Sequence, residues 1–88
     1  MSALVAELRA EIDELDRTLL ATVNRRLEVV RRMHDHKLEH GIPLRDPGRE
    51  ESMVAGLQAA NAGPLSPEGV KTLVRDVLDL TRRELHGE

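Results

Sequence analysis

The chain has 88 residues, a formal net charge of −3 at pH 7, and no cysteine, phenylalanine, tyrosine or tryptophan. The absence of cysteine excludes disulfides and thiolate metal sites. The negative charge argues against a nucleic-acid partner, because such proteins usually need positive charge to displace phosphate counterions. Helix-favouring residues dominate, so we predict an all-α fold. This length supports one small domain, residues 1–88, whose core is marginal unless chains associate.

The first predicted element is a long helix over residues 2–40, with Ser2 as its N-cap and no proline or glycine before Gly41. At about 1.5 Å per residue this helix is roughly 55 Å long, whereas a globule of this chain length has a radius of gyration of about 12 Å. We therefore expect a partner chain to cover the apolar stripe of the helix. That stripe consists of Leu8, Ile12, Leu15, Leu19, Val23, Leu27, Val30 and Met33.

Two shorter helices are predicted after the glycine. Asp46 and Pro47 have the residue types of an N-cap and a first helical residue, which predicts a second helix from about 47 to 61. Ser66 and Pro67 repeat this signal and predict a third helix to about residue 86. The side chains expected to point inward are Met53, Val54 and Leu57 on the second helix, and Val70, Leu73, Val74, Val77, Leu78 and Thr81 on the third.

The sequence contains no segment that is long and apolar enough to cross a bilayer. Residues 1–13 are amphipathic and acidic, whereas a targeting peptide would be basic or continuously apolar. We therefore predict a cytoplasmic protein without a membrane partner.

Two cations lie on the apolar stripe of the long helix. Arg26 follows Val23 by three residues, Lys37 follows Met33 by four, and the two cations lie within about 20° of each other around the helix axis. Such cations need an anionic partner, either a protein carboxylate or a ligand, unless their long side chains reach solvent. Arg9 lies about 25 Å along the axis from Arg26, so one small ligand can meet both only between two antiparallel copies.

A second cluster of charges lies where the second helix begins. Asp46, Arg49 and Glu50 have the spacing i, i+3 and i+4, so they share one face beside free backbone N–H groups. This arrangement suits a ligand that carries carboxylate and hydroxyl groups. A capping box with an Arg–Glu surface pair is the alternative.

These features together resemble the all-helical chorismate mutases of the AroQ class. The resemblance covers nearly the whole chain and includes LRAEIDELDRTLLATVNRR, HKLEHGIPLRDPGREE and GPLSPEGVKTLVRDVLDLT. The resemblance rests on four motifs in this order. They are LR followed by I-D-x-L-D, the paired arginines Arg25 and Arg26, a lysine eleven residues after Arg26, and P-x-R-D-x-x-R-E.

The resemblance implies an isomerase that converts chorismate to prephenate in aromatic amino acid biosynthesis. It also implies that no cofactor or metal is needed and that two chains form an intertwined homodimer with shared active sites. The family's carboxylate-binding arginines fall on Arg9, from the other subunit, and on Arg26. Its lysine, which reaches the ether oxygen, falls on Lys37. The family's positions near the ring hydroxyl fall on Asp46 and Glu50, and its charged neighbour between them falls on Arg49.

The chain departs from the family pattern near the end of the third predicted helix. Thr81 falls where the family commonly has a serine. Four residues later the family has a glutamine or glutamate that hydrogen-bonds the ether oxygen, and this chain has Leu85. Either the last turn is shifted so that Glu84 takes this place, or one donor is missing.

Other functions also fit the sequence. One alternative is a related mutase or lyase that acts on isochorismate or 4-amino-4-deoxychorismate. Another is a weak mutase that needs a partner enzyme of aromatic biosynthesis, and a third is a non-catalytic helical dimerisation module. His36 and His40, at i and i+4, could bind a metal, but the sequence offers no third ligand.

Overall fold

The computed structural model describes residues 2–86. It contains three helices, α1 (Ala3–Glu39), α2 (Arg49–Ala60) and α3 (Pro67–His86), and the described residues form no strand. The predicted all-α class, with one long helix and two shorter ones, is confirmed.

The contacts within the chain group into two compact units, residues 1–33 and residues 34–88. The first unit contains most of α1. The second contains the last turns of α1 together with α2 and α3. The single domain predicted over residues 1–88 stays a prediction.

The first unit is an amphipathic helix whose apolar stripe is mostly exposed to solvent. Ser2 caps it as predicted, because its Oγ accepts a hydrogen bond from the backbone N–H of Val5 at 3.4 Å. No residue of α1 is fully buried, and the stripe side chains from Leu8 to Leu19 are between 46% and 68% exposed. Exposed apolar area on this scale usually marks an interaction surface.

The end of α1 follows the prediction closely. Gly41 has a φ of 66°, the left-handed conformation that only glycine adopts at little cost. The N–H of Ile42 donates to the carbonyl of Lys37 at 2.8 Å, which is the Schellman arrangement that closes a helix. The local sequence therefore fixes where the helix stops.

The predicted start of α2 is wrong by two residues. Asp46 was expected to cap the helix, but the helix begins at Arg49, its N-cap is Gly48, and no side chain caps it. The N–H of Arg49 donates to the Asp46 carbonyl at 3.1 Å, and Gly48 has φ 86° and ψ −6°. Residues 46–49 therefore form a type II turn, because Pro47 at the second position and glycine at the third suit that turn well.

The second unit owes its small core to the packing of α2 against α3. Ser66 caps α3 as predicted, since its Oγ accepts a hydrogen bond from the N–H of Gly69 at 3.0 Å. Val70 and Val74 are the fully buried apolar residues among residues 2–86. Two side chains expected to point inward, Leu57 and Leu73, are exposed in this chain.

We expect Gly48→Ala to destabilise the turn that precedes Arg49 and Glu50. An alanine held at a φ of 86° costs about 1–2 kcal/mol, which lowers the melting temperature by several degrees at fixed protein concentration. Gly56→Ala is the matched control. An added Cβ there meets no atom within 4 Å, and alanine favours the helix by up to about 1 kcal/mol. Equal melting temperatures for the two variants would contradict the assigned turn.

Candidate active site

Two candidate substrate-binding arginines lie in the first unit. Arg9 is exposed and Arg26 is half-buried. They are separated by seventeen residues of continuous helix, about 25 Å along the axis and about 100° around it. Within one chain, α1 therefore cannot bring both guanidinium groups to one small ligand.

Lys37 lies in the second unit, in the last turn of α1. Its side chain is half-buried, and its Nζ donates to the carbonyl of Leu44 at 3.5 Å. That long hydrogen bond connects the helix to the following loop and leaves donor capacity on the ammonium group, which has three N–H donors. Lys37 is therefore a half-buried side chain whose ammonium group can still bind an anion.

Asp46, Arg49 and Glu50 are brought together by the type II turn and the first turn of α2. Their side chains are exposed, and the Asp46 carbonyl accepts the backbone hydrogen bond from Arg49. The turn replaces the expected side-chain cap, so the Asp46 carboxylate is not used to cap the helix. Carboxylates placed in this way can accept hydrogen bonds from a ligand hydroxyl.

Helix α3 contributes Thr81 and Leu85. Thr81 is buried, and its hydroxyl donates to the Val77 carbonyl at 2.7 Å, a local bond that periodicity alone does not predict. Leu85 is half-buried and Glu84 is exposed, on a helix that continues in register through both residues. The apolar Leu85 therefore projects on the more buried side.

The described residues contain no group of three or more histidine, aspartate, glutamate or cysteine side chains arranged to hold a metal ion. The rings of His36 and His40 meet edge to face with their centroids 4.2 Å apart. The site residues predicted from the sequence are positively charged donors and carboxylates. Side chains of these types suit the binding and orientation of an anionic ligand and the stabilisation of its charge.

Comparison with known proteins places these residues in a family. Residues 8–85 match the family described as chorismate mutase type II. The chain is similar in structure to chorismate mutase (form I) from Thermus thermophilus, with a TM-score of 0.83 and 32% identity over 88% of this chain and 96% of that one. The chain belongs to the chorismate mutase type II family, as its sequence motifs indicated.

Two curated relatives are much longer than the matched region. The chain is 52% identical to a 4-amino-4-deoxychorismate mutase from Streptomyces venezuelae over 42 residues, which are 48% of this chain and 41% of that protein. It is 40% identical to the T-protein of Haemophilus influenzae over 83 residues, which are 92% of this chain and 21% of that protein. The matched part of the chain thus spans about two fifths of the length of the first relative and about one fifth of the length of the second.

Among residues 2–86, no helix combines the length and the apolar content that a membrane span requires.

Proposed function

We propose that this chain is a chorismate mutase, which converts chorismate to prephenate in aromatic amino acid biosynthesis. The observation that supports this most strongly is the family match over residues 8–85, together with cations and carboxylates at every candidate site position from Arg9 to Glu50. The reaction is a Claisen rearrangement, in which one C–O ether bond breaks as one C–C bond forms. It needs neither a cofactor nor a covalent intermediate.

The proposed mechanism uses positioning and charge. Guanidinium groups bind carboxylates bidentately, so Arg26 of one chain and Arg9 of another hold the substrate carboxylates and bring the enolpyruvyl group over the ring. The ammonium group of Lys37 faces the ether oxygen, where negative charge develops as the bond breaks. Positive charge fixed at that atom before the reaction lowers the barrier, because it stabilises the transition state more than the substrate.

The carboxylates at the start of α2 recognise the ring. Glu50 accepts the hydrogen bond that the substrate hydroxyl donates, and Asp46 is a second acceptor near that hydroxyl. Arg49 lies between them in sequence and orients the charged groups. Thr81 supports the wall formed by α3, and Leu85 gives that wall an apolar surface. This assignment favours a substrate with a ring hydroxyl.

An intertwined homodimer is part of the proposal. Its support is the exposed apolar stripe of the first unit and the fact that only Val70 and Val74 are fully buried apolar residues among residues 2–86. A chain with so little core gains most of its stability by burying apolar surface against a second copy. We expect sedimentation at micromolar concentration to show a dimer, whereas a stable folded monomer would contradict it.

A pair of matched leucines tests which face associates. Leu15 lies on the apolar stripe and Leu20 lies about 140° around the axis from it, yet the two are 68% and 63% exposed in the single chain. Leu15→Glu should dissociate the dimer, because it places a charge in the interface. Leu20→Glu should leave the dimer intact, and equal effects would contradict an interface centred on the stripe.

Leu85→Gln should raise kcat/KM for chorismate by about tenfold, the effect of a new hydrogen bond worth about 1.4 kcal/mol in the transition state. The amide N–H would reach the ether oxygen from the position where leucine offers no donor. Glu84→Gln is the matched control one residue away on an exposed face, and it should change kcat/KM little. An improvement in Glu84→Gln alone would show that the last turn of α3 is shifted when substrate binds.

The relative from Streptomyces venezuelae, named 4-amino-4-deoxychorismate mutase, supports a second candidate substrate. Chorismate and 4-amino-4-deoxychorismate differ at the ring position that Asp46 and Glu50 are proposed to bind. The comparison of kcat/KM for these two substrates and for isochorismate, with one enzyme preparation, decides among them. We expect chorismate to give the highest value.

We also propose a cytoplasmic location, which a role in aromatic amino acid biosynthesis supports. A partner enzyme of the same biosynthesis is a further proposed contact that would order the carboxy-terminal turn. Addition of a cell extract fraction that raises kcat severalfold would support such a partner.

A further inference from the structure

We propose that His36 and His40, at the carboxy-terminal end of α1, bind a divalent transition-metal ion of the class Cu²⁺, Ni²⁺ and Zn²⁺. The two residues lie in the second unit at spacing i and i+4, so their side chains leave the same face of the helix. They begin and end the run HKLEH. In one class of zinc enzymes, a run of the pattern H-x-x-E-H supplies two histidine ligands to the metal.

The backbone holds the two histidines about one helical turn apart. His40 follows the last residue of α1, and its N–H donates to the carbonyl of His36 at 3.1 Å, which keeps the helical spacing between the two residues. The left-handed Gly41 and the hydrogen bond from Ile42 to the carbonyl of Lys37 close the helix directly after the pair. An ion therefore meets two ligands whose backbone is already ordered.

The two imidazole rings lie close to the arrangement that a shared ion requires. Their centroids are 4.2 Å apart and their planes meet at 75°. Two imidazoles whose nitrogens bind one ion at about 2.0–2.1 Å, spaced as in square-planar or tetrahedral sites, have centroids roughly 4.5–5 Å apart. The rings therefore need to separate by less than about 1 Å, which small rotations of the side chains provide, because χ2 of histidine is broad.

The nitrogens of both rings are available as ligands. The side chains of His36 and His40 are exposed, and within residues 2–86 neither takes part in a hydrogen bond or an ion pair. An ion can therefore reach them directly from solvent. The described part of the chain places no third histidine, aspartate or glutamate to join the pair, so water molecules complete the coordination.

The charges near the pair do not oppose a cation. Within residues 32–39, Asp35 and Glu39 carry negative charges and Arg32 and Lys37 carry positive ones, so the formal charges cancel. The carboxy-terminal end of a helix adds partial negative charge from its carbonyl groups, which favours a cation there. The local electrostatics therefore leave the imidazole ligands to determine the affinity.

The ligand types determine which metals the pair selects. Neutral imidazole suits copper, nickel and zinc, and the affinity of a nitrogen site for divalent ions is highest for Cu²⁺. Mg²⁺ prefers oxygen ligands and gains little from imidazole. The pair should therefore bind Cu²⁺ more tightly than Zn²⁺ and should not respond to Mg²⁺. This inference does not depend on the proposed mutase reaction, which uses no metal.

Metal titration of the isotopically labelled full chain, without a histidine tag, tests the site directly. ZnCl₂ and MgCl₂ are added separately to about 1 mM and followed by NMR. We expect Zn²⁺ to give saturable shifts in the ring signals of His36 and His40 at one ion per chain, and Mg²⁺ to give none. Calorimetry should show tighter binding of Cu²⁺ than of Zn²⁺. No saturable shift with Zn²⁺, or the same shifts with Mg²⁺, would overturn the site.

Variants show whether both histidines bind the same ion. His36→Gln and His40→Gln should each weaken Zn²⁺ binding about tenfold or more, because the second imidazole acts at a high effective concentration once the first is bound. Both positions are exposed and glutamine favours helices, so the variants should fold. His34→Gln is the matched control and should bind Zn²⁺ like the wild type, because residue 34 lies about 160° around the helix axis from residue 36. Equal Zn²⁺ binding by all three variants would overturn the assignment.

Discussion

Lys37→Ala is expected to lower kcat by a factor of about 100 or more, the scale seen when one oriented donor to developing charge is removed. The lysine is the charge proposed to meet the ether oxygen. Its side chain is half-buried, and within residues 2–86 its ammonium group makes one long hydrogen bond, to the carbonyl of Leu44. Stability should change little, because the hydrogen bond that is lost is long and exposed.

Two controls accompany this variant. Arg32→Ala removes an exposed cation from the same helix and should leave kcat unchanged. Lys37→Arg keeps the charge but changes the geometry of the donors, so it should recover only part of the rate. If Lys37→Ala retained the wild-type kcat, the lysine would be a solvated surface residue and the electrostatic part of the mechanism would be wrong.

Arg9→Ala and Arg26→Ala should each be nearly inactive as homodimers, yet they should restore activity when unfolded and refolded together. In a mixed dimer, one site receives the intact Arg26 of one chain and the intact Arg9 of the other, while the second site lacks both. Equal mixing makes half of the dimers mixed, so about one quarter of the wild-type activity should return.

The control is the same mixture without unfolding, which should stay inactive as long as the dimers do not exchange. Mixed dimers can be identified by two affinity tags and isolated before the assay. If isolated mixed dimers had no activity, the two arginines would not serve one shared site. Arg9 would then be a solvated surface residue.

The helix ends show which parts of the fold local sequence determines. Ser2 and Ser66 each accept a hydrogen bond from a backbone N–H three residues on, and Gly41 takes the left-handed conformation that ends a helix. These roles depend only on neighbouring residues, so they follow from the sequence alone. Asp46 and Pro47 have the same residue types as a capped helix start, but the predicted cap at Asp46 was wrong. The next residue is a glycine, and a Pro–Gly pair forms a type II turn more readily than a cap.

The side-chain environment was harder to predict than the helices. The spacing of Leu57 and Leu73 places each on an apolar face, but spacing does not say which neighbour covers that face, and in the single chain both are exposed. The proposed site that joins Arg9 and Arg26 stays untested for the same reason, because it depends on a second copy of the chain. The hydroxyl of Thr81 bonds to its own helix, which a pattern of residue types does not specify.

The most direct test of the central claim is the reaction of the purified chain with chorismate, followed by loss of chorismate absorbance and identification of the product by NMR. We expect prephenate as the product, formed with turnover, without added metal or cofactor and with full activity in the presence of a chelator. Lys37→Ala at the same concentration should show only the slow background reaction. No prephenate above that background from the folded wild-type protein, or equal rates for wild type and Lys37→Ala, would contradict the proposed function.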